Sequence, residues 1–155
     1  VSGTYPDDIK LNFTVFGNNI MGNLKFAERA VTDLAVTKTQ INVKQGYCKC
    51  SVLVVRENAI ITDDSSIYEK ASENGIDCLL IRKGDISLDG HEYGFIGGSS
   101  GKISKDIIVF FGDIEKHSDY EKIKIFLEKY NCIYVCTDKD KLRDIGGIIA
   151  VTECV

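Results

Sequence analysis

The stretch VKQGYCKC, residues 43–50, brings two thiols and a tyrosine close together in sequence. A thiolate is a nucleophile and a nearby cation lowers the pKa of a thiol, so Cys50 beside Lys49 is a candidate catalytic nucleophile. A second interpretation is a metal clip made by Cys48 and Cys50. A third is that both thiols are buried at the start of a strand over 51–55, where residues two apart share a face.

Spacing disfavours metal and phosphate chemistry. A Cys-x-Cys pair needs two more ligands to close a tetrahedral zinc site, and the chain has no second CxC or CxxC motif and no closely spaced histidine pair. Cys132 and Cys136 are interpreted as two core positions on one face of a strand. The stretch GGSSG at 97–101 lacks the GK[ST] ending of a phosphate loop that leads into a helix. The sequence therefore predicts no metal site and no cofactor.

Histidine and acidic side chains could complete a nucleophilic site. His91 lies in LDGHEYG, just before the Gly97-Gly98 pair, where a catalytic base could stand; a solvent-exposed turn is the alternative. His117, ahead of a helix, is expected at the surface. Asp7, Asn12 and Asp144 lie at predicted strand starts, and their oxygens could hold a cationic group.

Composition indicates an ordinary globular chain, and we expect one domain over 1–155. Of its 155 residues, 44% are hydrophobic and 27% are charged, and the net charge of −4 disfavours nucleic-acid binding. The longest apolar runs, 107–111 and 145–151, are too short to cross a bilayer. The six cysteines are predicted to be reduced, and no signal peptide opens the chain, so we expect a cytoplasmic location.

Three segments share the order strand, strand, helix, strand, namely 13–46, 52–84 and 107–138. In the third of these, the segment IE at 114–115 is predicted to be the second strand. Self-similarity at this period indicates an array or a propeller-like assembly. The continuously apolar runs 78–81 and 107–111 predict strands covered on both faces.

Two helix starts have the spacing of a capping box, Ser66 with Glu69 and Ser118 with Glu121. The acidic pair at 63–64 is explained by the dipole of the helix that it precedes.

Glycine-marked stretches connect the units at 45–50, 93–101 and 144–151. Glycine recurs where a backbone turns sharply or approaches another group closely. If these junctions converge at one end of the assembly, a small-molecule site forms from equivalent positions of different units. The candidate binding residues at or near the junctions are Asp7, Asn12, Lys44, Gln45, Tyr47, Gly97, Gly98, Ser99 and Asp144.

The repeated ββαβ unit with GG-type junctions resembles the pentein fold of the guanidino-group-modifying enzymes, which include arginine and agmatine deiminases and amidinotransferases. The segments YPDDIKLN, VKQGYCKC, ENGIDCLLI, YGFIGGSSGKI and RDIGGIIAV look like those of an uncharacterised bacterial family assigned to that fold. The resemblance implies a five-fold α/β propeller with its active site on the axis. Only about three modules are visible. The chain starts at Val1 and its one methionine is Met21, so we expect missing N-terminal modules, or completion of the ring by a homo-oligomer.

The resemblance also implies a chemistry in which a cysteine attacks a guanidinium carbon, a histidine moves protons and acids bind the cation. The family's nucleophile follows a late Gly-Gly junction. Here Gly97-Gly98 precedes serines, Gly146-Gly147 precedes isoleucines, and Cys154 has no glycine lead. Cys50 with His91 is therefore the catalytic pair of the first hypothesis, a hydrolase or transferase acting on guanidino or amidino compounds. The second hypothesis is a non-catalytic module that binds a small molecule or assembles through its edges, and an unrelated α/β domain is a third.

Overall fold

The computed structural model describes residues 4–151, which form a mixed α/β structure with three small sheets. The helices and strands in chain order are β1 (Thr14–Phe16), β2 (Asn19–Gly22), α1 (Arg29–Ala35), β3 (Thr39–Asn42), α2 (Cys48–Ser51), β4 (Val52–Arg56), β5 (Ala59–Thr62), α3 (Ser65–Glu73), β6 (Asp77–Leu80), β7 (Ser100–Lys102), β8 (Ile107–Phe110), α4 (Tyr120–Lys129) and β9 (Ile133–Cys136). Short 3-10 turns cover Asp7–Ile9, Leu24–Phe26 and Ile114–Lys116.

Each sheet has three strands and the same topology. The first strand pairs antiparallel with the second, and the second pairs parallel with the third, as in β4–β5–β6. The parallel pair needs a crossover, which α1, α3 and α4 supply in turn. The predicted ββαβ order is therefore confirmed for the first two units and holds in the third with a different first strand; no sheet closes on itself within residues 4–151.

Sheets and helices alternate through the core. A cluster around α1 packs on the first sheet through Phe13, Ile20 and Val31. In a second cluster, α3 packs between the first and second sheets, and this cluster includes Ile41 of the first sheet and Ile67 of α3. A third, larger cluster joins the second sheet to α4 and the third sheet, and it holds the fully buried Phe110. Each helix thus supplies its apolar stripe to the sheets beside it.

The third unit differs from its prediction. Its first strand is β7, which pairs antiparallel with β8, and the segment predicted as a second strand is the 3-10 turn Ile114–Lys116. The expected two-sided cover of the apolar runs is also wrong. Burial alternates along β8, where Ile107 and Val109 are only half-buried, and Leu80 at the end of β6 is 38% exposed.

The predicted helix caps are two residues from the true one in α3 and one residue from it in α4. Asp64 caps α3 because its Oδ1 accepts from the backbone N–H groups of Ser66 and Ile67, at 2.8 and 3.1 Å. The N-cap of α4 is Asp119, and the Ser118 backbone N–H donates to Asp85 instead. An aspartate can accept two amides at once, which explains why it replaces the predicted capping serine in α3.

In residues 4–151, no helix combines the length and the apolar character that a bilayer crossing requires.

Candidate functional site

A pocket of about 640 Å³ opens where the three junctions meet. The α2 turn contributes Tyr47 and Cys50, the connection between the second and third units contributes residues 88–95, and the C-terminal junction contributes 144–146. Four of the predicted site residues therefore share one pocket, namely Tyr47, Cys50, His91 and Asp144. These residues come from segments far apart in the chain, so the convergence of junctions that was expected from their glycines is present.

The two thiols of the opening motif lie on a short helix and not on a strand. The Ser51 backbone N–H donates to the Tyr47 carbonyl at 2.9 Å, which closes the turn. Residues two apart on a helix do not share a face, so the thiols separate. Cys48 is fully buried beside Thr14, while Cys50 is half-buried and lines the pocket. This separation also removes the metal-clip geometry.

Asn12 holds the α2 turn in place. Its Oδ1 accepts from the backbone N–H of Lys49 at 2.7 Å, at the start of the turn, as an N-cap residue would. Its Nδ2 lies 3.6 Å from the Cys50 sulfur and donates to it. Asn12 therefore positions the thiol and also contacts it, although its side chain comes from a different unit.

The environment of Cys50 favours its protonated thiol. Burial raises its pKa first, and the negative charge of Asp144 raises it further, whereas the Asn12 hydrogen bond and the Lys49 charge lower it. The net pKa shift is upward from the ordinary value of 9.0. A bound cation near Asp144 would reverse part of this shift, because an opposite charge favours the thiolate.

The glycine pair packs directly on the α2 turn. The Gly98 backbone N–H donates to the Cys50 carbonyl at 2.9 Å. A Cβ atom added to Gly97 would lie 2.3 Å from the Val52 oxygen, and one added to Gly98 would lie 2.0 Å from Asp144 Oδ1. The prediction that these glycines permit a close backbone approach is confirmed.

Asp144 connects two junctions through its carboxylate. Oδ2 accepts from the backbone N–H of Phe95 and Oδ1 accepts from that of Gly146, both at 2.9 Å. Each carboxylate oxygen has a second lone pair, so the group can still accept from a ligand in the pocket. Asp144 therefore fixes the shape of the pocket and also supplies its negative charge.

Aromatic rings form the walls. The rings of Tyr47 and Phe95 stack at 6.4 Å with an interplanar angle of 22°, and Tyr93 meets Phe95 edge-on at 6.0 Å. The Tyr47 hydroxyl donates to Asp8 Oδ2 at 2.6 Å, which fixes that ring. His91 is exposed at the rim, where it lines the pocket. The result is a mostly apolar pocket with flat walls and an acidic group.

Other predicted site residues lie outside this pocket. Asp7 forms an ion pair with Lys10 at 2.8 Å, and Lys44 is exposed near α3. Gln45 donates to the helix cap Asp64 at 2.9 Å, so it joins the α2 turn to α3. Ser99 is fully buried, and its hydroxyl donates to the Ile96 carbonyl. Cys154 lies outside the described residues.

One buried acid near the site was not predicted. Asp63 is 3% exposed, and its Oδ1 has no hydrogen-bond partner among the described residues. Burial raises its pKa to about 6, and the charges of Asp64 and Asp144 add to the rise while Lys83 opposes it. The available signal in the sequence was its position directly after the apolar strand β5, because the ends of such strands lead towards the junctions.

The remaining candidates give no metal centre. Within residues 4–151, no three His, Cys, Asp or Glu side chains form a group that could hold a metal ion. His117 is 3% exposed and not at the surface, because its Nδ1 accepts from the Asp119 backbone N–H and its ring packs at the start of α4. Burial lowers the pKa of His117.

A family model described as "Family of unknown function (DUF6873)" matches residues 1–149. No curated protein matches the chain. Among solved structures, a C. jejuni agmatine deiminase is similar with a TM-score of 0.41 and 12% identity, over 77% of this chain and 44% of that chain. The chain thus spans less than half the length of that deiminase.

Proposed function

The chain belongs to the family of unknown function DUF6873, and we propose that its junction pocket binds a small planar cation of the guanidino or amidino type. The observation that carries this proposal is the meeting of Asp144, Cys50 and stacked aromatic rings in one pocket of about 640 Å³. We also propose that the three units are part of a pentein-like propeller, which the ββαβ repeat and the alternation of sheets and helices support.

The pocket chemistry matches such a cation in two ways. A guanidinium group is planar and weakly hydrated, so its face stacks on aromatic rings such as Tyr47 and Phe95. Its edge donates in a fork to a carboxylate, and the Asp144 oxygens each retain a lone pair. Glu92, exposed at the rim, adds a second negative charge that attracts a cation.

Cysteine-dependent hydrolysis is a second candidate, favoured by the position of the Cys50 thiol on the pocket wall. The sulfur would form a bond to the guanidinium carbon, and one carbon–nitrogen bond of the guanidinium would break to release ammonia. Water would then attack the same carbon, break the carbon–sulfur bond, release a ureido product and restore the thiol. His91 at the rim would carry protons between the thiol, the leaving ammonia and water. Because the pKa of Cys50 is raised in the free chain, a bound cation would favour the thiolate by lowering that pKa.

Calorimetric titration tests binding separately from catalysis. We expect arginine or agmatine to bind, and citrulline or carbamoylputrescine, in which a neutral urea group replaces the guanidinium, not to bind. Asp144→Asn should weaken binding about tenfold or more, the loss expected for one charged hydrogen bond. Asp138→Asn is the matched control, because Asp138 also accepts a backbone N–H but lies outside the pocket.

The two parts of the proposal fail in different ways. Equal binding of the guanidino compounds and their ureido analogues, or equal affinities of the two asparagine variants, would refute the cation site. Catalysis requires release of ammonia that Cys50→Ser abolishes while binding remains. Binding without ammonia release would support the binding function and refute the enzymatic one.

A further inference from the structure

A second pocket, of about 620 Å³, lies at the other end of β4 from Cys50. The turn after β4, the loop between β7 and β8 and the C-terminal end of α4 form its walls. Its charged lining residues are Arg56, Lys102, Lys105, Lys129, Glu57 and Asp106. Four cations face two acids there, whereas the whole chain carries a net charge of −4. This concentration of positive charge has no role in the junction site.

The Arg56 guanidinium is held rigidly at one side of this pocket. It donates to the backbone carbonyls of Lys105, Tyr130 and Asn131, and its ion pair with Asp106 measures 2.7 Å. Carbonyls neutralise no charge, so Asp106 is its one ionic partner among the residues of 4–151. The fixed guanidinium therefore gives the pocket a permanent, oriented positive group.

Lys102 is the least compensated cation. Its ammonium donates to the Val55 carbonyl at 2.7 Å, and no carboxylate of the described chain lies within 4.0 Å of it. Burial lowers its pKa most and the charge of Arg56 lowers it further, while the nearby acids Asp106 and Glu57 oppose this shift without cancelling it. A half-buried ammonium without an ionic partner is costly, and two of its three N–H groups remain available.

We propose that this basic pocket binds a small phosphate-type dianion, free or as a monoester. Lys102 and Lys105 both lack an ion pair within the described residues, so two positive charges are available and a dianion matches them better than a carboxylate does. Lys129 contributes less because Asp77 already binds it. The proposal is independent of the junction pocket, since the two sites share no residue.

Calorimetric titration of the whole chain with inorganic phosphate, and separately with a nucleoside monophosphate, tests the site at constant ionic strength. We expect saturable one-to-one binding of at least one of them. Lys102→Met keeps the aliphatic stem and removes the charge, and it should raise Kd about tenfold. Lys70→Met is the matched control, because it removes the same charge from the exposed surface of α3.

Lys105→Gln provides a second variant whose side chain is exposed, so its effect does not depend on tolerance of a core change. It should weaken phosphate binding severalfold. Binding of phosphate alone identifies a free-ion site, and binding of the monophosphate alone identifies an ester site. Absence of saturable binding of both probes, or equal Kd values for Lys102→Met, Lys105→Gln and Lys70→Met, would overturn the proposal.

Discussion

Replacing Gly97 by alanine should break the contact that positions the Cys50 turn. The added Cβ would lie 2.3, 2.6 and 2.8 Å from the carbonyl oxygens of Val52, Lys49 and Cys50. These are backbone atoms, so no side chain can rotate away. Bringing the shortest contact to 3.0 Å requires the two segments to separate by about 0.7 Å.

That separation sets the expected magnitude. The bond from the Gly98 N–H to the Cys50 carbonyl is 2.9 Å long and would lengthen beyond hydrogen-bonding range. Overpacking costs about 1–3 kcal/mol and a lost hydrogen bond about 1 kcal/mol, so the free energy of unfolding should fall by roughly 3 kcal/mol. For a chain of this length, the corresponding fall in Tm is about 6–12 °C.

Urea denaturation and thermal melting measure this loss, and Gly90→Ala is the control. Gly90 has φ of +77° and no heavy atom within 4 Å of an added Cβ, so alanine there costs only about 1 kcal/mol of backbone strain. If Gly97→Ala destabilises the chain no more than Gly90→Ala does, the tight contact between the glycine pair and the α2 turn is refuted.

Three further predictions concern single side chains. Asp64→Ala should lower the free energy of unfolding by about 1–2 kcal/mol because it removes the cap of α3, whereas Ser66→Ala should lower it by no more than about 0.5 kcal/mol. Equal losses for the two variants in urea titrations would contradict Asp64 as the helix cap. Asp63 has a folded pKa of about 6, above its ordinary 3.8. As the pH falls, the folded chain therefore takes up a proton at Asp63 before the unfolded chain does. The cost of burying the charged carboxylate is fully present above about pH 6 and is lost as the pH falls towards 4. Asp63→Asn should therefore stabilise the chain at pH 8 by roughly 1–3 kcal/mol, with the gain fading towards pH 4, and a gain that does not change with pH would exclude this explanation. Because the pKa of Cys50 is raised, iodoacetamide should label Cys50 at pH 7 more slowly than free cysteine yet faster than buried Cys48. Agmatine should accelerate the labelling of Cys50. Mass spectrometry that shows Cys50 labelled faster than free cysteine would contradict the raised pKa.

The repeat was readable from the sequence because it depends on local patterns. Short apolar strand runs and helical stripes recur along the chain, and these signals survive without tertiary information. The convergence of the junctions was also predictable, since Gly97 and Gly98 mark a close backbone approach. Tyr47, Cys50, His91 and Asp144 were predicted as site residues for this reason, and the structure places them in one pocket.

What escaped prediction depends on contacts between units. The segment 48–51 reads as a strand start, yet it is helical because Asn12, 37 residues before Lys49, accepts from the Lys49 backbone N–H. Asp63 reads as a helix-dipole charge, yet packing buries it, and burial cannot be seen in a local pattern. The first strand of the third unit escaped because β7 has the sequence SGK, with no apolar residue.

The placement of the junction pocket has a consequence for cooperativity. Asn12 comes from the segment just before the first unit, Cys50 from the connection to the second, and Asp144 from the segment that follows the third. In a repeat structure, an end unit can open locally while the other units remain folded. Opening of either end would remove a pocket residue, so a ligand would bind only the fully docked stack. Occupancy would therefore suppress partial opening and favour unfolding of the three units together.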